Sequence, residues 1–375
     1  VVQVDPLSVI ARNHDIALYE RVIDYRPADL DNFLYTQRKG FDWGGVVMIH
    51  AMTELPYLRA LMARRIKQPR FAKFLAEHPA VIDTVYETIR ERGPLSNRDF
   101  PAPKTIISIH FRSPKDTGLA LYYLWMAGEL MTHSRKGVER IYDLRERIAP
   151  PEFDYVASPD DADNFFMPKV FHELGIVSPR SFRNGLYGIV ERKVAPSEAA
   201  ERLAALLTAG KIVEIRLDAD KKTPHYILSE NLPHLEALIA GHIPDAWQPI
   251  ETSTAQEVTF LSPLEIVSAR GRAQKLFDFE YLWEVYKPLE KRRWGYYTMP
   301  ILYGDQLVAR FDPKLERATN TLIIKGFWLE TNTIVDQPFA AALKSGLQRF
   351  MAFVGATKLE LQGNIPSEIA ATLQT

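Results

Sequence analysis

The chain has 375 residues, 46% hydrophobic and 25% charged, a globular composition long enough for roughly two to four modules with cores of their own. It contains no cysteine, which excludes disulfides, thiolate metal sites and a cysteine nucleophile, and fits a reducing cytoplasmic setting. Its 46 basic and 47 acidic residues leave a formal charge of −1, so binding to a polyanion would have to come from local positive surface.

The sequence opens on Val1-Val2-Gln3-Val4-Asp5, which reads as a strand entered part-way; a first unit over 1–80, truncated at its start, is expected. No signal peptide opens the chain, and the longest apolar run, 117–131, is too short and too polar to span a bilayer, so no membrane association is expected. Gln3 and Asp5 stand two apart on the opening strand, so their side chains share a face while Val2, Val4 and Leu7 serve the core. A carboxamide beside a carboxylate can hold a water, and the carboxylate can stabilise a sugar that becomes cationic as a glycosidic bond breaks. Asp5 followed by Pro6 also fits a helix N-cap with proline in the first turn, which needs no chemistry.

Further along, 81–92 reads as a helix with Val81, Ile82, Val85, Tyr86 and Ile89 on one face, broken by Gly93-Pro94. A short second helix over 95–100 is capped by Ser96. A longer helix over 116–131 carries Leu119, Leu121, Tyr122, Leu124 and Trp125, and stops at Ala127-Gly128. Strands at 129–133 and 139–144 flank an Arg135-Lys136-Gly137 turn. Helix, turn, short helix, longer helix and hairpin is the winged-helix order, giving a second unit over 81–150. The Pro- and Asp-rich stretch 150–163 reads as a linker. The closing half then recurs: a helix over 197–207 capped by Ser197, an Ala209-Gly210 stop, a strand at 211–217, a turn holding Lys221-Lys222, and a return at 225–228. This gives a third unit over 151–250.

From about 260 the chain turns aromatic and β-rich: strands at 295–303 and 306–311 joined at Gly304-Asp305, another at 321–329, a helix over 337–353 and a last strand at 358–362. The expected fold class is α+β, with tandem winged-helix motifs and, over 251–375, an antiparallel barrel-like region with a packing helix.

Phosphate-cradling, dinucleotide and zinc-helix signatures are absent, and the isolated pair His172-Glu173 reads as surface or cap. Basic clusters stand at Arg64-Arg65 with Lys67, Arg70 and Lys73, and at Lys291-Arg292-Arg293. The candidate DNA contacts are Ser96, Asn97, Arg98, Arg112, Lys115, Arg135, Lys136, Arg140, Lys221 and Lys222, several of them at hairpin turns where winged helices touch phosphates. A solvated turn accounts for any one cluster taken alone. Trp43, Trp125, Trp283 and Trp294 read as core residues.

Together these pieces resemble the AlkZ/YcaQ family of winged-helix DNA glycosylases, of the HTH-42 type. The segments that carry the resemblance are Val2-Gln3-Val4-Asp5-Pro6 with Val9-Ile10-Ala11-Arg12-Asn13-His14-Asp15, Arg92-Gly93-Pro94-Leu95-Ser96-Asn97-Arg98-Asp99-Phe100, and Arg140-Ile141-Tyr142-Asp143-Leu144-Arg145-Glu146-Arg147. A fourth runs through Leu261-Ser262-Pro263, Arg270-Gly271-Arg272, Leu276-Phe277-Asp278-Phe279-Glu280-Tyr281, Glu284-Val285-Tyr286-Lys287-Pro288, Lys291-Arg292 and Gly295-Tyr296-Tyr297. The resemblance implies three tandem winged-helix motifs lining a basic DNA channel, closed by a barrel-like C-terminal region. It implies excision of N7-alkylated purines from double-stranded DNA, with some members unhooking interstrand crosslinks, by a monomer of the prokaryotic nucleoid. No metal or organic cofactor is implied.

The family's catalytic signature is Gln–apolar–Gln or Gln–apolar–Asp, and Gln3-Val4-Asp5 matches the second form. Asp5 would stabilise the cationic sugar or activate water, and Gln3 would position that water. Many members carry Trp-Ala-His after the phenylalanine that aligns with Phe41; this chain has Asp42-Trp43-Gly44-Gly45, which points to a subgroup with altered substrate range. A non-catalytic winged-helix regulator and a protein-interaction scaffold are the other readings of the same elements.

Overall fold

A computed structural model of the protein describes residues 2–101, 116–247, 257–268 and 271–374. Its contacts gather into two units: one holds the chain up to Leu30 together with everything described from Asp245 onward, and the other holds Asp31–Pro244. The span 1–80 expected as one domain is thus shared between both units. The reason is burial: Ile10 and Ile16 enter a core with Val258, Phe260, Phe311 and Phe350, whereas Phe41, Trp43 and Leu55 share a core with Val85, Ile89 and Trp125.

The chain starts with a two-residue strand, β1 (Val2–Gln3), and a short helix, α1 (Asn13–Tyr19), followed by α2 (Pro27–Asp31). The second unit opens on a π-helical turn at Asn32–Thr36, followed by an antiparallel hairpin, β2 (Gly40–Trp43) and β3 (Met48–Ala51). Gly44 turns it at φ 117°, where an added Cβ would sit 2.6 Å from the Val46 carbonyl oxygen. Three helices follow, α3 (Leu55–Arg65), α4 (Pro69–Glu77) and α5 (Pro79–Arg92), each with proline in its first turn and the last ended by Gly93. Next come β4 (Leu95–Ser96), a 3-10 turn at Asn97–Asp99, α6 (Asp116–Ala127), and the hairpin β5 (Leu130–Lys136) with β6 (Glu139–Leu144). The sheet order is β4-β6-β5. The short helix expected over 95–100 is therefore a strand residue pair plus one turn. Ser96 still caps it, exchanging bonds with the Arg98 amide and with Asp99.

After α7 (Arg145–Ile148), the stretch expected as a linker is ordered and tied down. Asp154 receives Arg59 at 2.7 Å and Arg145 at 2.8 Å, and the Ala157 amide donates to the Pro56 carbonyl at 3.1 Å. Ser158 then caps α8 (Pro159–Leu174). Composition suggested a loop, but these acids are partners for arginines far away in sequence. Asp163, 2% exposed, is shared by Arg64, Arg192 and Arg202. The unit continues with α9 (Pro179–Val190), α10 (Pro196–Thr208), the hairpin β7 (Ile212–Leu217) and β8 (Asp220–Leu228), and α11 (Leu232–Ile239). An isolated bridge pairs Val177 with Tyr226, so this hairpin gains a third short strand where β4 stands in the preceding one. Ser197 is not the cap of α10; the helix starts at Pro196, and Ala195 is its N-cap residue.

The first unit resumes with β9 (Val258–Phe260), α12 (Arg272–Phe277), β10 (Met299–Tyr303), β11 (Gln306–Glu316), β12 (Thr321–Leu329), α13 (Gln337–Val354), β13 (Lys358–Asn364) and α14 (Ser367–Gln374). Among the described residues its five strands from β9 onward form an open sheet, β13-β12-β11-β10-β9, rather than the expected barrel-like closure. The helix α13 returns the chain so that β13 joins β12 in parallel at one edge, while β9 pairs antiparallel with β10 at the other. Asp336 caps α13 through the Phe339 amide, and Gly346 lets the helix approach β9, since a Cβ there would lie 2.8 Å from the Val258 carbonyl. Fully buried Phe339, Phe350, Phe311 and Phe327 fill the space between helix and sheet, each contributing about 1.5–3 kcal/mol relative to exposure. Among the described residues no helix is long and apolar enough to cross a membrane.

Candidate catalytic centre and DNA-contact residues

The segment carrying Gln3 and Asp5 is extended and pinned on both sides. Upstream, Asn13 on α1 donates from Nδ2 to the Gln3 carbonyl at 3.2 Å. Downstream, Arg317 donates to the carbonyls of Ser8 at 2.9 Å and Ile10 at 3.0 Å, and the Leu315 amide donates to the Val9 carbonyl at 3.2 Å. Asp5 caps no helix, because the first helix begins only at Asn13. Its Oδ1 instead accepts the Leu7 amide at 2.8 Å, closing a local turn around Pro6. Partial burial raises the Asp5 carboxyl above its ordinary acidity range, against the opposing Leu7 bond. An anion held in such a partly dry setting interacts more strongly with a developing cation than one in bulk water.

The same unit buries several polar side chains, and on one of them, Tyr297, the Asp5 charge acts. Tyr297, 1% exposed, precedes β10 and is set by its main chain: the amides of Tyr296 and Tyr297 donate to Asp312 at 3.2 and 2.8 Å. Only glycine fits at 295, where a Cβ would run into the Asp312 carboxylate. The Tyr297 hydroxyl is buried without a hydrogen-bond partner among the described residues. Burial chiefly, then the charges of Asp5 and Glu20, push its ionisation well up. Glu20 accepts the Ser262 amide at 2.5 Å and Arg21 at 3.1 Å, and Arg21 also holds Glu265 at 2.5 Å. Burial and then the neighbouring Glu265 charge raise the Glu20 carboxyl well above the usual range. Tyr281, partly buried, donates to the Thr298 carbonyl at 2.8 Å, and burial raises its ionisation too. Of these groups Tyr297 is the one on which the Asp5 charge acts, and Asp5 itself is governed by partial burial and the Leu7 amide. Among the described residues no three His, Asp or Glu side chains gather where a metal ion would bind.

The candidate DNA contacts separate into two kinds. Arg135 and Arg140 turn inward: both pair with Asp42, which also accepts Thr132 Oγ1 at 2.5 Å. Arg140 lies 4.0 Å over the Trp125 ring as well. A 4% exposed carboxylate in β2 demands partners, and the hairpin arginines supply them, so these two guanidiniums are structural rather than presented to solvent. Ser96 is 7% exposed and spent on its cap. By contrast Lys136, Lys221, Lys222 and Arg98 are exposed at hairpin ends and at the 3-10 turn, although Arg98 reaches Glu139 at 3.0 Å. Asn97, in the same turn, is half-buried. Arg112 and Lys115 lie outside the described residues.

Sequence reasoning passed over Asp42, Glu20 and Tyr297. A lone charge between Phe41 and Trp43 was a signal that Asp42 is buried and paired. Nothing local marks Glu20 or Tyr297, whose neighbours come from 242 and 292 positions away, as with Glu20 to Ser262 and Asp5 to Tyr297.

Comparison with known families places the chain among DNA glycosylases. Residues 1–353 match the AlkZ-like family model, described as DNA glycosylase AlkZ-like, and the chain belongs to that family. Among solved structures it is similar to Streptomyces sahachiroi DNA glycosylase AlkZ, with TM-score 0.59, 12% sequence identity, and coverage of 97% of this chain and 91% of that one. At that identity the likeness is one of fold.

Proposed function

We propose that the chain hydrolyses the N-glycosidic bond of N7-alkylated purines in double-stranded DNA, with Asp5 and Gln3 as the working pair. The observation that carries this reading is the Asp5 carboxylate, half-buried, anchored on both sides of its segment and shifted in acidity. An N7-alkylguanine is already cationic, so its C1′–N9 bond breaks with both electrons passing to the base, which leaves neutral. The sugar is left as an oxocarbenium ion that the Asp5 anion stabilises. Water held by Gln3 adds to C1′, and its proton passes to Asp5 or to solvent. No cofactor enters this scheme.

Two winged-helix units would hold the duplex. The first is α5, the 3-10 turn, α6 and the β5–β6 hairpin; the second is α8, α9, α10 and the β7–β8 hairpin. Each has a short strand pairing its returning hairpin strand, the β4–β6 pair in one and the Val177–Tyr226 bridge in the other. Lys136, Lys221, Lys222 and Arg98 would meet phosphates as a monomer grips one lesion.

The reading is tested by incubating the protein with duplex DNA containing N7-methylguanine and measuring free base by mass spectrometry. Free N7-methylguanine with matching abasic sites is expected. Tight binding to the same duplex with no base released would leave a non-catalytic DNA-binding protein.

A further inference from the structure

Between α12 and β10 the chain forms a loop closed at its base by one carboxylate. Glu284 is fully buried and accepts Lys287 Nζ, the Arg293 amide and the Trp294 amide, each at 2.8 Å, and the Gly295 amide at 3.4 Å. Burial pushes its carboxyl up, but these donors outweigh it and hold it below the usual range. Arg292 adds a bond to the Lys287 carbonyl at 2.9 Å and lies 4.8 Å over the Tyr296 ring. Such stitching makes a fixed shape of a segment that has only two 3-10 turns.

The tip has the opposite character. Tyr286 is 84% exposed and Leu289 78% exposed. A rigid loop that holds an aromatic and an aliphatic side chain in water gains nothing for folding, and such residues mark contact surfaces. Lys291 and Arg293 are exposed beside them, with Lys287 and Arg292 half-buried; the acids nearby are Glu290 and Glu280, the latter paired with Arg293 at 2.9 Å. The tip also connects to the candidate centre through rings. Tyr286 meets Trp283 edge-on with centroids 5.9 Å apart, and Trp283 meets Tyr297 edge-on at 6.2 Å. Tyr297 in turn is the buried phenol on which the Asp5 charge acts. On the neighbouring Tyr296 ring, a basic cavity of about 290 Å³ is lined by Ser8, Asp312, Lys314, Arg317 and Lys325.

We infer that the loop 284–291 is a wedge for duplex DNA: Tyr286, supported by Leu289, enters the base stack next to the damaged nucleotide while Lys291, Arg293 and the Lys314–Lys325 cavity take the flanking phosphates. Its chemistry fits that occupant, because a ring face stacks on any base and the cations beside it match the backbone. The inference rests on the glycosylase reading and goes beyond it by naming the element that opens the stack.

The test uses the full chain with a duplex carrying a stable abasic-site analogue and 2-aminopurine as the adjacent base. Native protein and Asp5→Asn are expected to change the 2-aminopurine emission alike. Tyr286→Ala should lose that change and bind this duplex about tenfold more weakly, with affinity for intact duplex retained, the loss expected for one base–aromatic stack. Tyr286→Phe should restore both. Because Tyr286 is mostly in water, its replacement leaves the fold intact. A Tyr286→Ala protein that perturbs the probe and binds as the native does overturns the wedge, and it does so alone if the native protein still releases N7-methylguanine. A probe response that depends on Tyr286, without base release by the native protein, supports the wedge and removes the enzymatic reading.

Discussion

Replacing Asp42 by alanine removes the carboxylate that Arg135 and Arg140 share and that accepts Thr132. Breaking a buried ion pair from one side typically costs about 3–5 kcal/mol, since the remaining charge stays desolvated. Here two guanidiniums are left facing each other, but their side chains keep 11% and 17% exposure and can reach some water, which places the cost near the lower end, about 3 kcal/mol. Asp42→Asn keeps an acceptor for Thr132 while losing the charge, and should cost about 2 kcal/mol. Two units in one chain make a single unfolding midpoint a poor measure, so hydrogen exchange of the β5–β6 amides is the suitable assay. At neutral pH these amides should exchange about a hundredfold faster in Asp42→Ala, following about 1.36 kcal/mol per factor of ten. The pH dependence has a defined sign. Burial opposes ionisation of Asp42, but Arg135, Arg140 and Thr132 outweigh it and lower its carboxyl. Its stability contribution is therefore present above the ordinary aspartate range and lost as pH falls through the lowered folded value, a sensitivity the variant should lack. Exchange unchanged within about 0.5 kcal/mol would refute the argument that Arg135 and Arg140 belong to the fold.

Other outcomes follow from the same reasoning. Lys136→Ala, Lys221→Ala and Lys222→Ala should each lower the salt slope of DNA binding by about one and leave thermal stability unchanged, whereas Arg135→Ala should do the reverse; salt titrations with melting curves separate the two. For Glu20 the folded carboxyl is raised by burial and Glu265, so its contribution is fullest below the ordinary glutamate range and is lost as pH rises through the raised value. Glu20→Gln should flatten the fall of melting temperature across that rise, and an unchanged profile would mean Glu20 is not a proton holder.

Helix–hairpin pairs were legible because their punctuation is local: α6 and α10 run into Gly128 and Gly210, both at positive φ, and each is followed directly by a strand. What escaped the sequence depends on partners distant along the chain. Ile10 and Ile16 look like ordinary apolar residues of an N-terminal unit, yet their core lies around Phe311 and Phe350. The acids of 150–163 look like a solvated linker until Arg59, Arg64 and Arg145 meet them. Arg135 looks like a turn cation, but the hairpin closes one pair later, between Lys136 and Glu139, and the guanidinium points back to Asp42. At the candidate centre, the Gln3–Asp5 spacing was visible, while the partial burial of Asp5 and the Tyr297 phenol on which its charge acts were not.

The most direct test of the central claim compares native protein with Asp5→Asn for release of N7-methylguanine from alkylated duplex DNA, at matched binding and across pH. Native protein is expected to release the base at a rate that declines as pH falls through the raised Asp5 carboxyl, and the variant to lose at least about a hundredfold with DNA affinity retained. Equal release by both proteins would contradict it and place the chemistry elsewhere.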